Sequence, residues 1–299
     1  MWGFHNLSLL GAGVAFFTFL ALTPLIAATV MVYGLVGDVE TVQRQMRSII
    51  ELVPREAAAV IENQLLSVVT ANAGVTGLAL AIALGFAVFG GMRAANGLIG
   101  ALNIINEEHE TRGIISLNVR AAALTLAAIF VALTGLISSG MFAWLQMQAG
   151  DLLGESILFG SAGFALIMRY GPDREPARWL WLAPGALVAT LLWIAISFGF
   201  SFYVAYVSDY NATYGSLSAI VVFLMWLFLS AYGVLGGALL NAEIERQTTV
   251  DTTTGLEMPI GDRGAVLADL AEGGLSISQW MEKAERRAVR RHLPSHKIK

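Results

Sequence analysis

Two stretches of the chain, Trp179 to Val207 and Ser216 to Leu240, run without one Asp, Glu, Lys or Arg. Each is long enough to cross a bilayer core of about 30 Å at a rise of about 1.5 Å per residue. A backbone in lipid must satisfy its own hydrogen bonds, so runs of this kind restrict the chain to membrane helices. The same criterion finds Leu9 to Val36, Gly74 to Met92, Ala121 to Leu145 and Leu152 to Met168, the last carrying Glu155. Composition agrees: 13% of residues are charged and 56% hydrophobic, against about 25% charged in a soluble domain. The expected fold class is all-α, a polytopic membrane helix bundle. Six transmembrane helices occupy residues 1–246, and a cytoplasmic tail follows from 247 to 299.

Orientation comes from the basic residues. With the N-terminus inside, only Arg44, Arg47 and Arg55 of the 18 Lys and Arg face outward. The positive-inside rule therefore selects six spans with both termini cytoplasmic. The fourth span is the weakest by composition, but without it the Arg169, Arg174 and Arg178 group would lie outside. Met1 to Ser8 carries no Lys or Arg, and the apolar run after it exceeds the length of a signal-peptide core, so the first segment is expected to remain as a membrane helix. Within it, Pro24 removes the hydrogen bond to the Leu20 carbonyl and favours a kink.

Between the first two spans, residues 38–72 keep apolar side chains at spacings of three and four, including Val42, Met46, Ile49, Ile61 and Leu65. That spacing predicts an extracytoplasmic amphipathic helical hairpin, with Pro54 opening its second helix. It either packs as a simple outer element or covers the bundle mouth. After Asn241 the sequence turns polar, and Thr248 to Thr254 with Pro259 to Asp262 reads as a linker. In the tail, Ile277, Trp280, Ala284 and Ala288 oppose Lys283, Arg286, Arg287, Arg290 and Arg291. This amphipathic helix suits anionic headgroups, and equally a solvated surface.

Catalytic groups are scarce. Cysteine is absent, which excludes disulfides, thiolate metal sites and cysteine nucleophiles. The lysines, Lys283, Lys297 and Lys299, follow no glycine, so there is no phosphate-binding loop of the Gly-Lys-Ser type. His109 sits in Glu107-Glu108-His109-Glu110, but consecutive helical residues diverge by about 100 degrees and cannot converge on one ion. A solvated turn is expected there. No metal and no cofactor is expected, and nucleic acid is not an implied partner, since the position of Lys and Arg relative to the apolar runs matters more than the formal charge of -4.

Polar groups at membrane depth are few. Glu155 beside Asp151 fits a helix N-terminus, with a substrate or proton role left open. Asn96, Asn103 and Asn106 recur near the inner end of the second span, either bonding between helices or lining a vestibule. Packing is the better account of Asn96. Gly233 and Gly237 form a G-x-x-x-G pair that permits close helix approach and is compatible with a homo-oligomer.

Several segments resemble one family. Gly11 to Pro24, GAGVAFFTFLALTP, resembles the opening A-G-x-A-F…P span of the YihY/BrkB family of inner-membrane proteins, formerly labelled ribonuclease BN. Ala101 to Gly113 is similar to its Leu-Asn and Glu-x-Arg-Gly segment through Leu102, Asn103, Glu110, Arg112 and Gly113. Pro184-Gly185-Ala186, Trp193 and Tyr203 fit as well. The block from Tyr210 to Arg246 is similar to the Y-x-x-T-Y-G-S-L and W-L-x-x-S-A…L-N-A-E signatures through Asn211, Tyr214, Gly215, Trp226, Gly237, Asn241 and Glu243. Gly261 to Asp269 matches a tail element of some members. The resemblance implies six membrane helices and no settled activity.

Physical roles can be assigned to parts of these motifs. Tyr210 to Ser216 forms a tight outward turn, with tyrosines anchored at the interface. Asn241 and Glu243 end the sixth span, where Glu243 is expected to contact Arg112 or Arg120. The leading functional expectation is a transporter or exporter of a lipid-like or amphiphilic solute, with membrane lipids as neighbours. The second is a non-transporting scaffold for envelope biogenesis. The third, a membrane-embedded nuclease, lacks the convergent acids and histidines that a metal-dependent site needs.

Overall fold

Small residues alternate with large apolar ones through the long hydrophobic stretches, and the structure, a computed structural model, sorts them by direction. It describes residues 7–22, 77–144, 149–206 and 217–270, with Gln279 and Glu282 beyond them. The long helices are α1 (Leu7–Leu22), α2 (Gly77–Ile105), α3 (Ile114–Trp144), α4 (Ala149–Tyr170), α5 (Trp179–Tyr206) and α6 (Ser218–Arg246), followed by the short α7 (Val266–Asp269). Among the described residues there is no strand, and the single β-bridge joins Ala177 to Thr253. Among the described residues, three helices are long and apolar enough to cross a membrane, through Val88–Ile105, Trp179–Tyr206 and Ser218–Arg246. Leu7–Leu22, Ile114–Ala127 and Ile157–Tyr170 are shorter apolar helices.

α5 is apolar on every side, so hydrophobicity alone cannot choose its buried face. Small residues make up most of that face. Gly185, Ala186, Ala189, Thr190 and Ser197 turn inward beside Leu182, Phe200 and Val204, while Leu180, Leu187, Leu191, Phe198 and Phe202 are exposed. Lipid solvates leucine as well as a neighbouring helix does, and close backbone packing then favours small residues at the interface. α6 buries Ser230, Ala231, Gly233, Gly237 and Ala238 together with Val222, Phe223, Trp226, Val234 and Leu235, and its Gly233 and Gly237 lie against α5.

α5 and α6 run antiparallel, with Gly185 facing Gly237 and Ser197 accepting a 3.1 Å bond from Trp226 Nε1. A Cβ on Gly185 would lie 2.2 Å from the Gly237 carbonyl oxygen, and one on Gly237 would lie 2.3 Å from that of Gly185. The expected close approach of the Gly233 and Gly237 pair is thus made within the chain. α2 and α3 are also antiparallel, with Gly91 against Thr125 and Asn96 donating to Asn118 at 3.3 Å. Asn96 therefore bonds between helices. Ser161 and Thr190 hydroxyls, 3.1 Å apart, join α4 to α5.

Two boundaries differ from expectation. α2 does not end near Met92 but continues to Ile105, and α3 begins at Ile114 instead of near Ala121. Arg93 is no helix stop, because its guanidinium lies over the Phe89 ring, 5.2 Å from the centroid, and the chain beyond it buries Ala95, Ile99, Ala101 and Leu102. Protein contacts take over where the apolar run ends. The largest core cluster lies at this end and unites Leu7 of α1, Leu102, Met168, Leu182, Ala238 and Leu267.

The stretch after α6 is no free linker. Asp251, Thr252, Thr253, Arg263 and Asp269 are buried, and Leu267 is fully buried in the core cluster. Arg263 organises this segment by donating to the carbonyls of Thr249, Val250, Met258 and Ala268, and Asp269 accepts from the backbone N–H groups of Gly261 and Arg263. The segment's threonines and acids supply the hydrogen bonds that a compact turn-rich fold needs, so its polar composition imitates a linker. The Pro24 kink, the 38–72 hairpin, the 210–216 turn, the side chains of Asp151 and Glu155, and the basic tail helix lie outside the described residues.

Candidate functional site

The ends of α2, α4 and α6 and the starts of α3 and α5 meet at one end of the bundle, and nearly every described charge outside the tail gathers there. α2 stops in a reverse turn, with Glu107 N–H bonding to Ile104 O and Glu108 N–H to Asn103 O. Glu107 occupies the left-handed position at φ 56 that glycine usually takes. Its carboxylate pairs with Arg246 Nη2 at 2.7 Å, which helps hold this costly conformation. The turn points Glu108 back toward the bundle.

Asn103 is the first hub. Its Nδ2 donates to Glu110 Oε2 at 2.9 Å, and its Oδ1 accepts from the Asp173 backbone N–H at 2.8 Å. Glu110 takes two bonds from the Arg112 guanidinium, each 2.6 Å, and a third from the Arg112 backbone N–H at 3.1 Å, and Arg112 also donates to Gly171 O and approaches Asp173 at 3.5 Å. Hydrogen bonding from Arg112, ahead of the opposing effect of burial, holds the Glu110 carboxyl below its ordinary range. Asp173 Oδ2 accepts from the Thr111 amide and hydroxyl. The turn after α2 is thereby tied to the corner after α4.

Arg174 and Glu245 form the second hub. Two 2.5 Å bonds join them side by side, with side chains only 4% and 7% exposed. Asn106 Oδ1 accepts from Arg174, and the Thr252 hydroxyl donates to Glu245. Burial opposes the Arg174 charge, but the bonds and attraction from Glu245 outweigh it and hold the guanidinium above its ordinary value. Glu108 completes the tie to the C-terminal segment, accepting from Val266 N–H at 2.8 Å. Burial pushes its carboxyl up to about 7, against the lowering effects of that bond and of Arg174.

A cavity of about 20 Å³ adjoins both hubs, lined among others by Asn106, Arg169, Arg174, Asn241 and Glu245. That volume fits one water and is far below the several hundred Å³ of a solute pocket. The site is a charged knot tying three inter-helix segments together. Its acids and bases neutralise one another, so the arrangement holds helices in register.

The sequence-predicted residues divide between this knot and its surroundings. Asn103, Glu110 and Arg112 sit in it together. Asn241 and Gly237 lie just above, where Asn241 accepts from Gly185 N–H at 2.7 Å and donates to Leu182 O at 3.0 Å. Those bonds bridge the backbone on both sides of Pro184. Trp226 lies farther along α6, stacked on Phe223, and Tyr203 stacks on Phe200 toward the other end of α5. Pro24, Asn211, Tyr214 and Gly215 lie outside the described residues.

The expected pairing of Glu243 with Arg112 or Arg120 is not made. Glu243 faces outward and meets Arg246 and Gln247 of its own helix, Arg112 is held by Glu110 and Asp173, and Arg120 donates to Tyr170 O. Residues two apart point to opposite sides of a helix, so Asn241 shares its buried face with Glu245 and not with Glu243. That spacing is the signal for Glu245. The acidic turn is likewise more than a solvated loop, since Glu107, Glu108 and Glu110 each hold a different partner while His109 is exposed. Asp173 and Arg174 carried no local pattern marking them.

Comparison with known proteins identifies the family. The family profile described as virulence factor BrkB matches residues 2–259. A UPF0761 membrane protein of Rhodospirillum centenum is 27% identical over 293 residues, 94% of this chain and 62% of that protein. Another, of Alkalilimnicola ehrlichii, is 31% identical over 240 residues, 76% of this chain and 52% of its own. YfkH of Bacillus subtilis, named as ribonuclease-like, is 28% identical over 175 residues, 54% of this chain and 64% of its own. The chain thus spans less than two thirds of the length of these relatives. No solved structure matches it. Long apolar helices, three of them among the described residues long enough to cross a membrane, and a profile match over most of the sequence make this chain a membrane protein of the BrkB family.

Proposed function

We propose that the chain is a six-span inner-membrane transporter or exporter of a lipid-like or amphiphilic solute, with both termini cytoplasmic and the charged knot as its closed cytoplasmic gate. The observation that carries this reading is the knot itself. Three segments that belong to different helices are tied by the Arg174–Glu245 pair, the Asn103–Glu110–Arg112–Asp173 network and the Glu108 bond to Val266. A bundle that alternates between two openings needs such a breakable closure at one end. The basic residues of this end support the cytoplasmic assignment. Leu7 in one core cluster with Leu267 supports termini on one side.

In this reading the chain is no enzyme and binds no nucleic acid, because the knot's carboxylates and guanidiniums are engaged with one another. Metal-dependent RNA cleavage that survives stringent purification would overturn that part. The test of transport is reconstitution into liposomes with labelled phospholipids and small amphiphiles. Saturable movement that changes when Glu245 and Arg174 are replaced supports it, and absence of saturable binding or movement ends it. A scaffold for envelope biogenesis is the second reading, favoured by the one-water size of the cavity beside the knot. It expects discrete proteins to co-purify in fixed ratio.

A further inference from the structure

The described arginines fall into two classes. Arg112, Arg174, Arg246 and Arg263 each have a carboxylate within 4.0 Å, and all belong to the knot or the segment packed on it. Arg93, Arg120, Arg169 and Arg178 have none among the described residues; Arg93 lies on Phe89 of its own helix and Arg178 donates to Thr253 O, which leaves Arg120 and Arg169. Both converge on the end of α4. Arg120 Nη1 donates to Tyr170 O at 3.3 Å, and the Arg169 guanidinium lies 5.4 Å from the Tyr170 ring centroid and 4.6 Å from that of Trp179. The two rings meet edge-on, 6.4 Å apart.

Charge at this corner is not balanced from within. Arg169 Nη1 donates to Ala177 O, and its Nε is buried without a partner. The C-terminus of α4 supplies the equivalent of roughly half a negative charge, too little for two guanidiniums. Asp173, the nearest acid in sequence, is held by Thr111 and Arg112, and Glu175 makes no ion pair among the described residues. The corner also marks the surface of the apolar layer. Trp179 and Leu180, 49% and 82% exposed, begin the long apolar α5, and Tyr170 is 39% exposed. Amphipathic rings at a helix end sit at headgroup level, and an arginine reaching along its helix brings its charge there.

We propose that Arg120 and Arg169, framed by the rings of Tyr170 and Trp179, bind the phosphate headgroup of an anionic phospholipid whose chains lie along exposed Leu180. The guanidiniums donate to phosphate oxygens, the rings fill the glycerol level, and the lipid supplies the negative charge the protein lacks. This binding is a property of the folded bundle in its membrane and holds whether or not the protein transports.

The test is native mass spectrometry of the full chain in neutral detergent, titrated with phosphatidylglycerol and with phosphatidylcholine. Phosphatidylglycerol is expected to bind preferentially. Arg120→Gln is expected to weaken it roughly five-fold, equivalent to about 1 kcal/mol per basic residue at a membrane surface. Arg93→Gln, which removes the same charge from α2, is expected to leave it unchanged. Equal binding of the two lipids overturns the proposal, as does an equal loss with Arg93→Gln, which would indicate diffuse attraction. Displacement by millimolar inorganic phosphate would assign the corner to free phosphate and overturn the lipid assignment. If Arg169→Gln fails to fold because it loses the Ala177 bond, Arg120→Gln combined with Arg169→Lys carries the same comparison.

Discussion

At the scale of single residues, the knot separates groups that stabilise from groups that respond to pH. The Arg174–Glu245 pair is buried, so removing one partner strands a charge. Glu245→Ala or Arg174→Ala should cost about 3–5 kcal/mol in reversible denaturation in detergent, whereas replacing both by apolar residues of similar size should recover most of it. Glu108 behaves differently. Its pKa in the folded protein, about 7, lies above the ordinary 4.5, so the protonated form is favoured when the C-terminal segment is docked. The resulting stabilisation is complete below about 4.5 and is lost as pH rises through 7. The groups acting on it are Arg174, Asp173 and Glu245, together with the Val266 amide. Hydrogen exchange at Val266 should therefore be faster at pH 8 than at pH 6 after correction for intrinsic rates. Glu108→Gln, which keeps an acceptor without the charge, should abolish that difference.

At the scale of elements, the α5–α6 contact depends on two missing side chains. Gly185→Ala or Gly237→Ala places a Cβ against the opposing backbone, and both helices must separate. Overpacking of this kind costs about 1–3 kcal/mol, and both variants should lower the unfolding midpoint in detergent. Gly199→Ala, with nothing within 4 Å of the added carbon, should leave it unchanged or raise it. Asn241→Leu keeps approximate volume but removes both side-chain bonds to the α5 backbone, a loss of about 1–3 kcal/mol. The glycine pair in α6 was legible in the sequence as a close-approach motif. Its partner at Gly185 was not, because residues far apart along the chain meet only through the antiparallel arrangement.

For the whole molecule, the proposed six spans with both termini inside make a prediction that the absence of cysteine simplifies. Single cysteines replacing His109, Glu175 or Glu257 should react with impermeant maleimide from one side of sealed vesicles, and a cysteine replacing Glu56 from the other. Labelling of His109→Cys and Glu175→Cys from opposite sides would overturn the six-span arrangement. Length and hydropathy by themselves determined the membrane class and its helical character, since uncharged runs in lipid leave a backbone no other way to satisfy its hydrogen bonds. The family resemblance singled out Asn103, Glu110, Arg112 and Asn241. The tertiary structure alone decided which charges meet. Arg174 finds Glu245 and Glu108 finds the Val266 amide across long separations in sequence, and the segment after α6, polar enough to read as a linker, becomes core once its acids, threonines and Arg263 find buried backbone partners. Hydropathy reports how a residue prefers lipid to water, whereas the worth of a charge depends on what lies a few ångströms away, and only the fold supplies that.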